Sequence, residues 1–540
     1  MTDILLIQPP IRDFYLTTKR TIPYGLASMA AVLLRDGFSV EILDGLATSK
    51  SRIIALPEEL SYLRGYYEKA DRSSFALFNH FKHFGYSFEH IGKTAKASRA
   101  FLIGISSLFT PYMQEAVKTA EIIKAYHPTV KIVLGGHHPT MMPETVMESS
   151  AVDFILRGEG EVSISRLAHA VRSGGALEGI PGLVYRKSGA KIIIDNPATM
   201  RSPERYPLPA SHLTNHPFYR RGRKGSAVIV AGRGCPLKCT YCSVGASSYL
   251  KFRKRAVASI IGEIETAVKK HNVGFIDFED ENLSLDRRWF LKLLYEIRKR
   301  FSRHSLELRA MNGLFPPSLD EEVVAAMKEA GFKTLNLSLG TFSKAQLKRF
   351  QRPDVSEAFD HSLKLAEVYG LEAVGYIIIA APFQRAQSSV SDLLLLAERR
   401  VLAGISVFYP APGSPDYDLC ENMGILPKHV ACLRSSALPL SHTTTRLESI
   451  TLLRLGRILN FMKFLLNMGT SLPEPRAVKI KIENPADRIG TSKRLLQYFL
   501  HDGKIRGINP AGEIFEHQIS TRLTNKFLSG LQSRDIRGCR

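Results

Sequence analysis

The chain has 540 residues, 44% of them hydrophobic, and a formal charge of +22. That length suits about three domains, and the composition excludes a fibrous, low-complexity or disordered chain. Six cysteines are too few for a disulfide scaffold and suit a reducing compartment.

From the N-terminus, short apolar strands alternate with amphipathic helices. Strands are predicted at Ile4 to Gln8, Ser39 to Leu43, Phe101 to Ser106, Val130 to Leu134 and Val152 to Leu156, with helices at Leu26 to Arg35 and Tyr112 to Tyr126. This alternation implies a doubly wound α/β domain with a parallel sheet. Ligands of such sheets bind beyond the strand C-termini. Pro9-Pro10, Ser106-Ser107, Gly135-Gly136 and the run Gly158-Glu159-Gly160 all fall there. No G-x-G-x-x-G follows the first strand, which disfavours a dinucleotide. An insertion of about 47–98 is polar and aromatic and reads as helical. Gly182 to Ile194 reads as a hairpin, and a Pro-containing linker, 196–225, follows.

A second alternating series opens with a strand at Ala227 to Val230. Later strands are Phe275 to Phe278, Leu306 to Arg309, Thr334 to Ser338, Ala373 to Ile379 and Ile405 to Tyr409. Helices Val257 to His271, Arg287 to Phe301, Asp320 to Ala330 and Val390 to Leu402 lie between them. Six strand–helix units suit a partial barrel with its site at the strand C-termini. Directly after the first of these strands comes Gly234-Cys235-Pro236-Leu237-Lys238-Cys239-Thr240-Tyr241-Cys242. Cys235, Cys239 and Cys242 supply three thiolates. A cubic 4Fe–4S cluster held by three cysteines keeps one iron open to a small molecule. A structural zinc site needs a fourth Cys or His close by, and the nearest downstream histidine is His271. Cys420, Cys432 and Cys539 form no framework and read as ordinary residues.

Residues 416–540 read as mainly helical, with a long helix at Leu447 to Leu466 and a basic tail whose composition suits disorder. No stretch approaches the roughly 18 apolar residues of a membrane span, and the first residues lack signal-peptide features, so the expected location is cytoplasmic. Basic clusters stand at Arg220 to Lys224, Lys251 to Arg255 and Arg298 to Arg300. They suit an anionic partner, but no aromatic-interleaved nucleic-acid motif accompanies them, so nucleic acid is disfavoured.

The cysteine loop after a first barrel strand resembles the radical S-adenosylmethionine (radical SAM) superfamily, with Tyr241 at its aromatic position. Ile22 to Ser28, Val40 to Asp44, Gly135 to Thr140 and Asp153 to Glu161 resemble, in order, the N-terminal domain of the cobalamin-dependent radical SAM enzymes. The resemblance spans about residues 1–415. It implies a Rossmann-like cobalamin-binding domain (1–200), a partial (β/α)6 radical SAM barrel (201–415) and a helical C-terminal region (416–540). The implied cofactors are a 4Fe–4S cluster on Cys235, Cys239 and Cys242, S-adenosylmethionine and cobalamin.

By the same resemblance, Tyr241, Glu279, Asp280 and Asn312 would contact S-adenosylmethionine. Ser106, Ser107, Gly135, Gly136, His137, Gly158, Glu159 and Gly160 would contact cobalamin. No D-x-H-x-x-G run occurs in residues 1–200, and His137 and His138 read as loop residues in the family pattern. Cobalt's lower face is therefore expected to be water-bound or open. Thr341 and Pro382-Phe383-Gln384 depart from the acidic residues of relatives, which suggests a distinct subfamily. The implied activity is methylation of an unactivated carbon of a small molecule or peptide, through a 5′-deoxyadenosyl radical and methylcobalamin. The alternatives are oxidation or cyclisation, as in the anaerobic magnesium-protoporphyrin monomethyl ester cyclases, and a non-enzymatic metal- or corrinoid-binding module. The basic surface points to an acidic electron donor, a flavodoxin or ferredoxin.

Overall fold

A computed structural model describes residues 2–16, 21–67, 69–187, 193–246, 251–302, 305–476 and 487–539. The N-terminal strands are β1 (Ile4–Gln8), β2 (Val40–Asp44), β3 (Leu102–Ser106), β4 (Lys131–Gly135) and β5 (Phe154–Leu156). They pair in parallel in the order β2-β1-β3-β4-β5. The chain reverses direction across the sheet between β1 and β3, the position beyond whose strand ends such sheets bind ligands. Nearly every residue of β1 and β3 is buried, as a sheet covered by helices on both faces requires. The predicted hairpin is present as β6 (Leu183–Arg186) and β7 (Ile193–Asp195), although its turn, 188–192, lies outside the described residues. It extends the sheet antiparallel from β5.

The second sheet series runs β8 (Lys224–Ile229), β9 (Val273–Phe278), β10 (Glu307–Ala310), β11 (Thr334–Gly340), β12 (Glu372–Ile379) and β13 (Leu402–Val407). β8-β9-β10 and β11-β12-β13 form two parallel three-strand sets, joined by single parallel bridges at Leu308–Phe332 and Leu314–Leu337. This is the expected six-stranded partial barrel. Its last strand begins at Leu402, three residues earlier than predicted, because the preceding helix, Ala386–Ala397, ends before the charged run Glu398-Arg399-Arg400.

The insertion differs from its expected helical form. It holds short strands at Ser51–Ile53 and Lys82–Phe84, a 3-10 turn at Glu58–Leu63 running into one helical turn at Arg64–Tyr67, and a longer helix at Phe88–Ser98. Leu60, Leu63, Tyr67, Phe75 and Phe81 join the barrel and C-terminal core and leave the N-terminal sheet to its own core. Asp71 clasps the far end of the chain, since its carboxylate accepts from His517 Nε2 (2.9 Å) and from the Ile508 amide (3.2 Å). A segment whose apolar side chains face a distant part of the sequence carries no helical period of its own.

The C-terminal region contains the helix Arg446–Asn467, started by a Thr445–Glu448 capping box, and the helices Arg488–Asp502 and Thr521–Gln532. A hairpin of Arg506–Ile508 and Ile514–Glu516 lies between the last two. The basic tail is docked, contrary to its composition. Fully buried Lys463 donates to the carbonyls of Ala397 (3.1 Å), Arg399 (2.6 Å) and Arg537 (2.7 Å). Arg537 in turn donates its amide to Ala397. One buried ammonium thus satisfies a barrel-helix C-terminus and the tail together.

Asp392 reports on barrel stability through pH. It is buried, accepts from Thr341 Oγ1 (2.7 Å) and the Phe342 amide (3.0 Å), and burial pushes its carboxyl up to about 6. The folded state therefore keeps this proton where the unfolded chain releases it. The contribution is complete below about pH 4 and is lost as pH rises to about 6, up to roughly 3 kcal/mol at ~1.4 kcal/mol per unit. Urea midpoints measured from pH 4 to 7 should show a shallower decline for Asp392→Asn than for the wild type.

Candidate active site

The backbone of the cysteine loop is held from outside at several points. After β8, the Ala231 amide donates to Asp280 Oδ2 (3.0 Å), and the Gly234 amide donates to Glu281 Oε2 (3.1 Å). The Thr240 amide donates to the Phe350 carbonyl (3.0 Å), and the Asp416 amide to the Thr240 carbonyl (2.9 Å). Cys239 is buried, while Cys235 and Cys242 are half-buried. Burial pushes the Cys235 and Cys242 thiols up; Cys235 also feels the charge of Cys242 and Cys239, and Cys242 that of Cys239. The three therefore share one small volume. Among the described residues no three His, Cys, Asp or Glu side chains converge on a single-ion position; a cubane is wider than an ion, and its ligands need not meet at a point. The Asn282 side chain offsets part of the rise that burial imposes on the Cys235 thiol.

The acidic segment divides its work. Asp280 is wholly buried, and burial pushes its carboxyl up to about 8; its oxygen anchors the backbone entering the cysteine loop. Glu279 donates its amide to Ile229, and its carbonyl accepts from Asn312 Nδ2 (2.9 Å), tying the ends of β9 and β10. The carboxylate that reaches the loop beside Cys242 is Glu281, raised by burial. Sequence reasoning stopped one residue short of it, although it belongs to the same acidic run. Tyr241 packs edge-on against Phe350 (4.8 Å) over Ala381, Phe408 and Cys420, with its hydroxyl facing Arg352 (3.2 Å).

At the two positions where the family resemblance leads one to expect acidic residues, this chain builds structure. Thr341 anchors Asp392. Gln384 is buried, accepts from the Ala381 amide and donates to the Ile378 carbonyl (2.8 Å). Phe383 stands in the left-handed region at φ 62°, a costly conformation for a bulky side chain, with Arg349 4.4 Å above its ring.

The strand-end loops of the N-terminal sheet meet this loop directly. His137, after β4, places Nε2 2.9 Å from the hydroxyl of Ser243, the residue after Cys242. Burial pushes its imidazole down, so it is neutral at physiological pH. His138 lies between the hydroxyls of Thr110 and Thr145 (3.3 Å each), its pKa pushed down to about 4 by burial. Both histidines therefore have protein partners.

Glu159, after β5, accepts from Arg233 (3.1 Å), Arg253 (2.5 Å) and the Tyr206 hydroxyl (3.0 Å), and Glu161 takes the other arm of Arg233. Its carboxylate clamps the two domains together, just ahead of Gly234-Cys235. Arg255 bridges Glu263 (2.6 Å) and the Tyr24 hydroxyl (3.2 Å), and Lys254 pairs with Asp286. The basic cluster Lys251 to Arg255 is thus largely consumed internally. Arg220, Arg221 and Arg223 stay exposed on a tight hairpin, where Arg221 also pairs with Glu307 (3.1 Å).

Ser106, Ser107, Gly135 and Gly136 sit together at the C-terminal ends of the paired strands β3 and β4. Ser107 Oγ is buried and lacks a hydrogen-bond partner, the mark of a group that expects a ligand or water. Gly136 has φ 124°, and a Cβ there would stand 2.6 Å from the Ser107 carbonyl oxygen. Leu108 and Phe109 next to it are exposed, an apolar shelf at the same edge. Gly158, at φ 74°, donates its amide to Thr140 Oγ1 (3.0 Å), and a Cβ on Gly160 would meet Met29 Sδ at 2.8 Å. Gly136→Ala should cost about 1–3 kcal/mol and weaken corrinoid retention. Denaturant midpoints, and corrin absorbance after gel filtration, would check both.

A B12-binding-domain family model matches residues 57–168, and a radical SAM superfamily model matches 229–386. The first begins inside the insertion and leaves β1 and β2 outside. The chain belongs to the cobalamin-dependent radical SAM enzymes. It is 26% identical over 431 residues to an uncharacterised methyltransferase of Pyrococcus horikoshii, covering 78% of this chain and 84% of that one. It is 30% identical over 263 residues to the anaerobic magnesium-protoporphyrin IX monomethyl ester cyclase of Rubrivivax gelatinosus, which is 46% of this chain and 44% of the cyclase. The cobalamin-dependent S-adenosylmethionine radical enzyme OxsB, solved with aqua-cobalamin and S-adenosylmethionine, shares the fold at TM-score 0.63 and 14% identity, over 92% of this chain and 72% of that one. Among the described residues no helix is long and apolar enough to cross a membrane.

Proposed function

We propose that this cobalamin-dependent radical SAM enzyme methylates an unactivated carbon of a small molecule or peptide in the cytoplasm. The junction carries the reading: the loop bearing three thiols is bonded to the loops of the B12-binding domain at Ser243–His137 and Arg233–Glu159, so both cofactor sites border one junction. The donor sets fit their groups. Three clustered thiols suit a cubane, and an orphaned Ser107 hydroxyl beside a close-packed Gly136 suits a corrinoid with polar edges. When bound, the cluster with S-adenosylmethionine supplies a hydrogen-abstracting radical, and the corrinoid supplies the methyl group.

Residues of the chain do the positioning. Cys235, Cys239 and Cys242 would hold the cluster. Tyr241, Glu279, Asp280 and Asn312 shape the S-adenosylmethionine side, Asp280 through the loop backbone it anchors. Ser106, Ser107, Gly135, Gly136, His137, Gly158, Glu159 and Gly160 shape the corrinoid side, His137 and Glu159 by closing the domains and excluding water. We place the domain limits at 1–200, 201–415 and 416–540. The exposed Arg220–Arg223 turn suits an acidic flavodoxin or ferredoxin as electron donor, and raising the ionic strength should slow that reduction.

The test is anaerobic reconstitution with iron, sulfide and hydroxocobalamin, followed by incubation with S-adenosylmethionine and dithionite. Methyl transfer yields S-adenosylhomocysteine as well as 5′-deoxyadenosine. 5′-Deoxyadenosine alone would overturn it and favour oxidation or cyclisation, the reading that the 30% identity to the cyclase supports.

A further inference from the structure

Arg352 follows the short helix Lys344–Arg349 that comes after β11, and it is not among the residues that the motifs single out. Its side chain is 8% exposed. Nε donates to the Leu339 carbonyl (3.4 Å), and Nη2 to the carbonyl and hydroxyl of Ser338 (3.2 Å to the hydroxyl). Nη1 faces the Tyr241 hydroxyl (3.2 Å) and the Cys239 sulfur (3.7 Å). Gly340, at φ 87°, leaves room for the side chain, since a Cβ there would stand 3.3 Å from Arg352 Cδ.

A buried guanidinium is costly without an anion, and an Arg cannot shed its proton. The ionisable groups that act on this one most strongly are Tyr241 and Cys239, not an Asp or Glu. Of these, Cys239 becomes an anion on ligating iron, because a metal-bound thiol is deprotonated. A fixed cation and hydrogen bond at a cluster sulfur favour the more negative oxidation state.

We propose that Arg352 sets the reduction potential of the cluster by donating to the Cys239 sulfur, with Tyr241 fixing the guanidinium. The step it tunes is the gain of one electron by the 2+ cluster to give the 1+ cluster. The electron comes from an external low-potential donor, no proton moves, and Arg352 stays protonated throughout. This rests on the cluster reading above. The two fail differently: that reading fails if the wild-type protein binds no iron and sulfide, this one if the potential does not move.

The experiment is an EPR-monitored redox titration of anaerobically reconstituted wild type, Arg352→Met, Arg352→Gln and Arg352→Lys, after iron and sulfide analysis. The Met and Gln variants should show about a tenfold lower reduced-to-oxidised ratio at a fixed potential, ~59 mV for a one-electron couple. Arg352→Lys should recover part of the difference. A wild-type midpoint in a fully loaded Met or Gln variant overturns the proposal. So does failure of both neutral variants to hold a cluster, which would make Arg352 a structural residue only.

Discussion

Replacement of Cys235, Cys239 or Cys242 by alanine will leave the protein folded and its cluster unformed. Iron and sulfide content should fall to background, and reductive cleavage of S-adenosylmethionine should drop by about 10³-fold or more, as when a group essential to the chemistry is removed. The fold survives because the loop is held mainly by backbone bonds to Asp280, Glu281 and Phe350, not by the thiols. Cys420 is the internal control. It is fully buried in the small core with Phe350, Phe408 and Leu440 that supports Tyr241, so Cys420→Ala should cost about 1 kcal/mol in stability and keep its iron. Parallel iron analysis and urea melts separate the two. A cluster that persisted in a Cys239→Ala protein would sink the cofactor assignment.

Glu159→Gln will loosen the domain junction. The carboxylate is enclosed by two guanidiniums and a tyrosine hydroxyl; burial raises its pKa, and the hydrogen bonds and charges of Arg253 and Arg233 outweigh that and hold it below its usual value. Removing one partner of a buried ion network costs about 3–5 kcal/mol, because the remaining charges stay buried and less compensated. Glu161 still serves Arg233, which places the expected loss at the low end, about 3 kcal/mol. The only tryptophan, Trp289, donates to the Arg255 carbonyl (2.9 Å), and Arg255 reaches Tyr24 across the same junction. Its emission should shift to the red at lower urea than in the wild type. An unchanged midpoint would show that the clamp adds nothing to docking.

Much of the architecture was legible because it is local. β1, β3 and the helix Val257–His271 follow from apolar runs and helical spacing, which the backbone imposes wherever the chain goes. The C-x3-C-x2-C spacing was equally plain, since one short loop carries all three ligands. The departures of Thr341 and Gln384 from the acidic family pattern were visible too, but not that both side chains would be spent on buried hydrogen bonds. Less legible were pairings between distant segments. The insertion gave no sign that Tyr67 and Phe75 belong to the C-terminal core, and the basic tail gave none that Lys463 would hold it.

By itself, then, the amino-acid order determined the two α/β units, their sequence along the chain and the three thiols, because periodicity and ligand spacing operate over a few residues. Only the tertiary structure decided what surrounds those thiols. Glu281 and Arg352 arrive from other strand ends, and Glu159 and His137 arrive from the other domain to close on Arg233 and Ser243. Charge complementarity and burial act through space between residues that are more than a hundred positions apart in two of these contacts, and linear spacing carries no record of them.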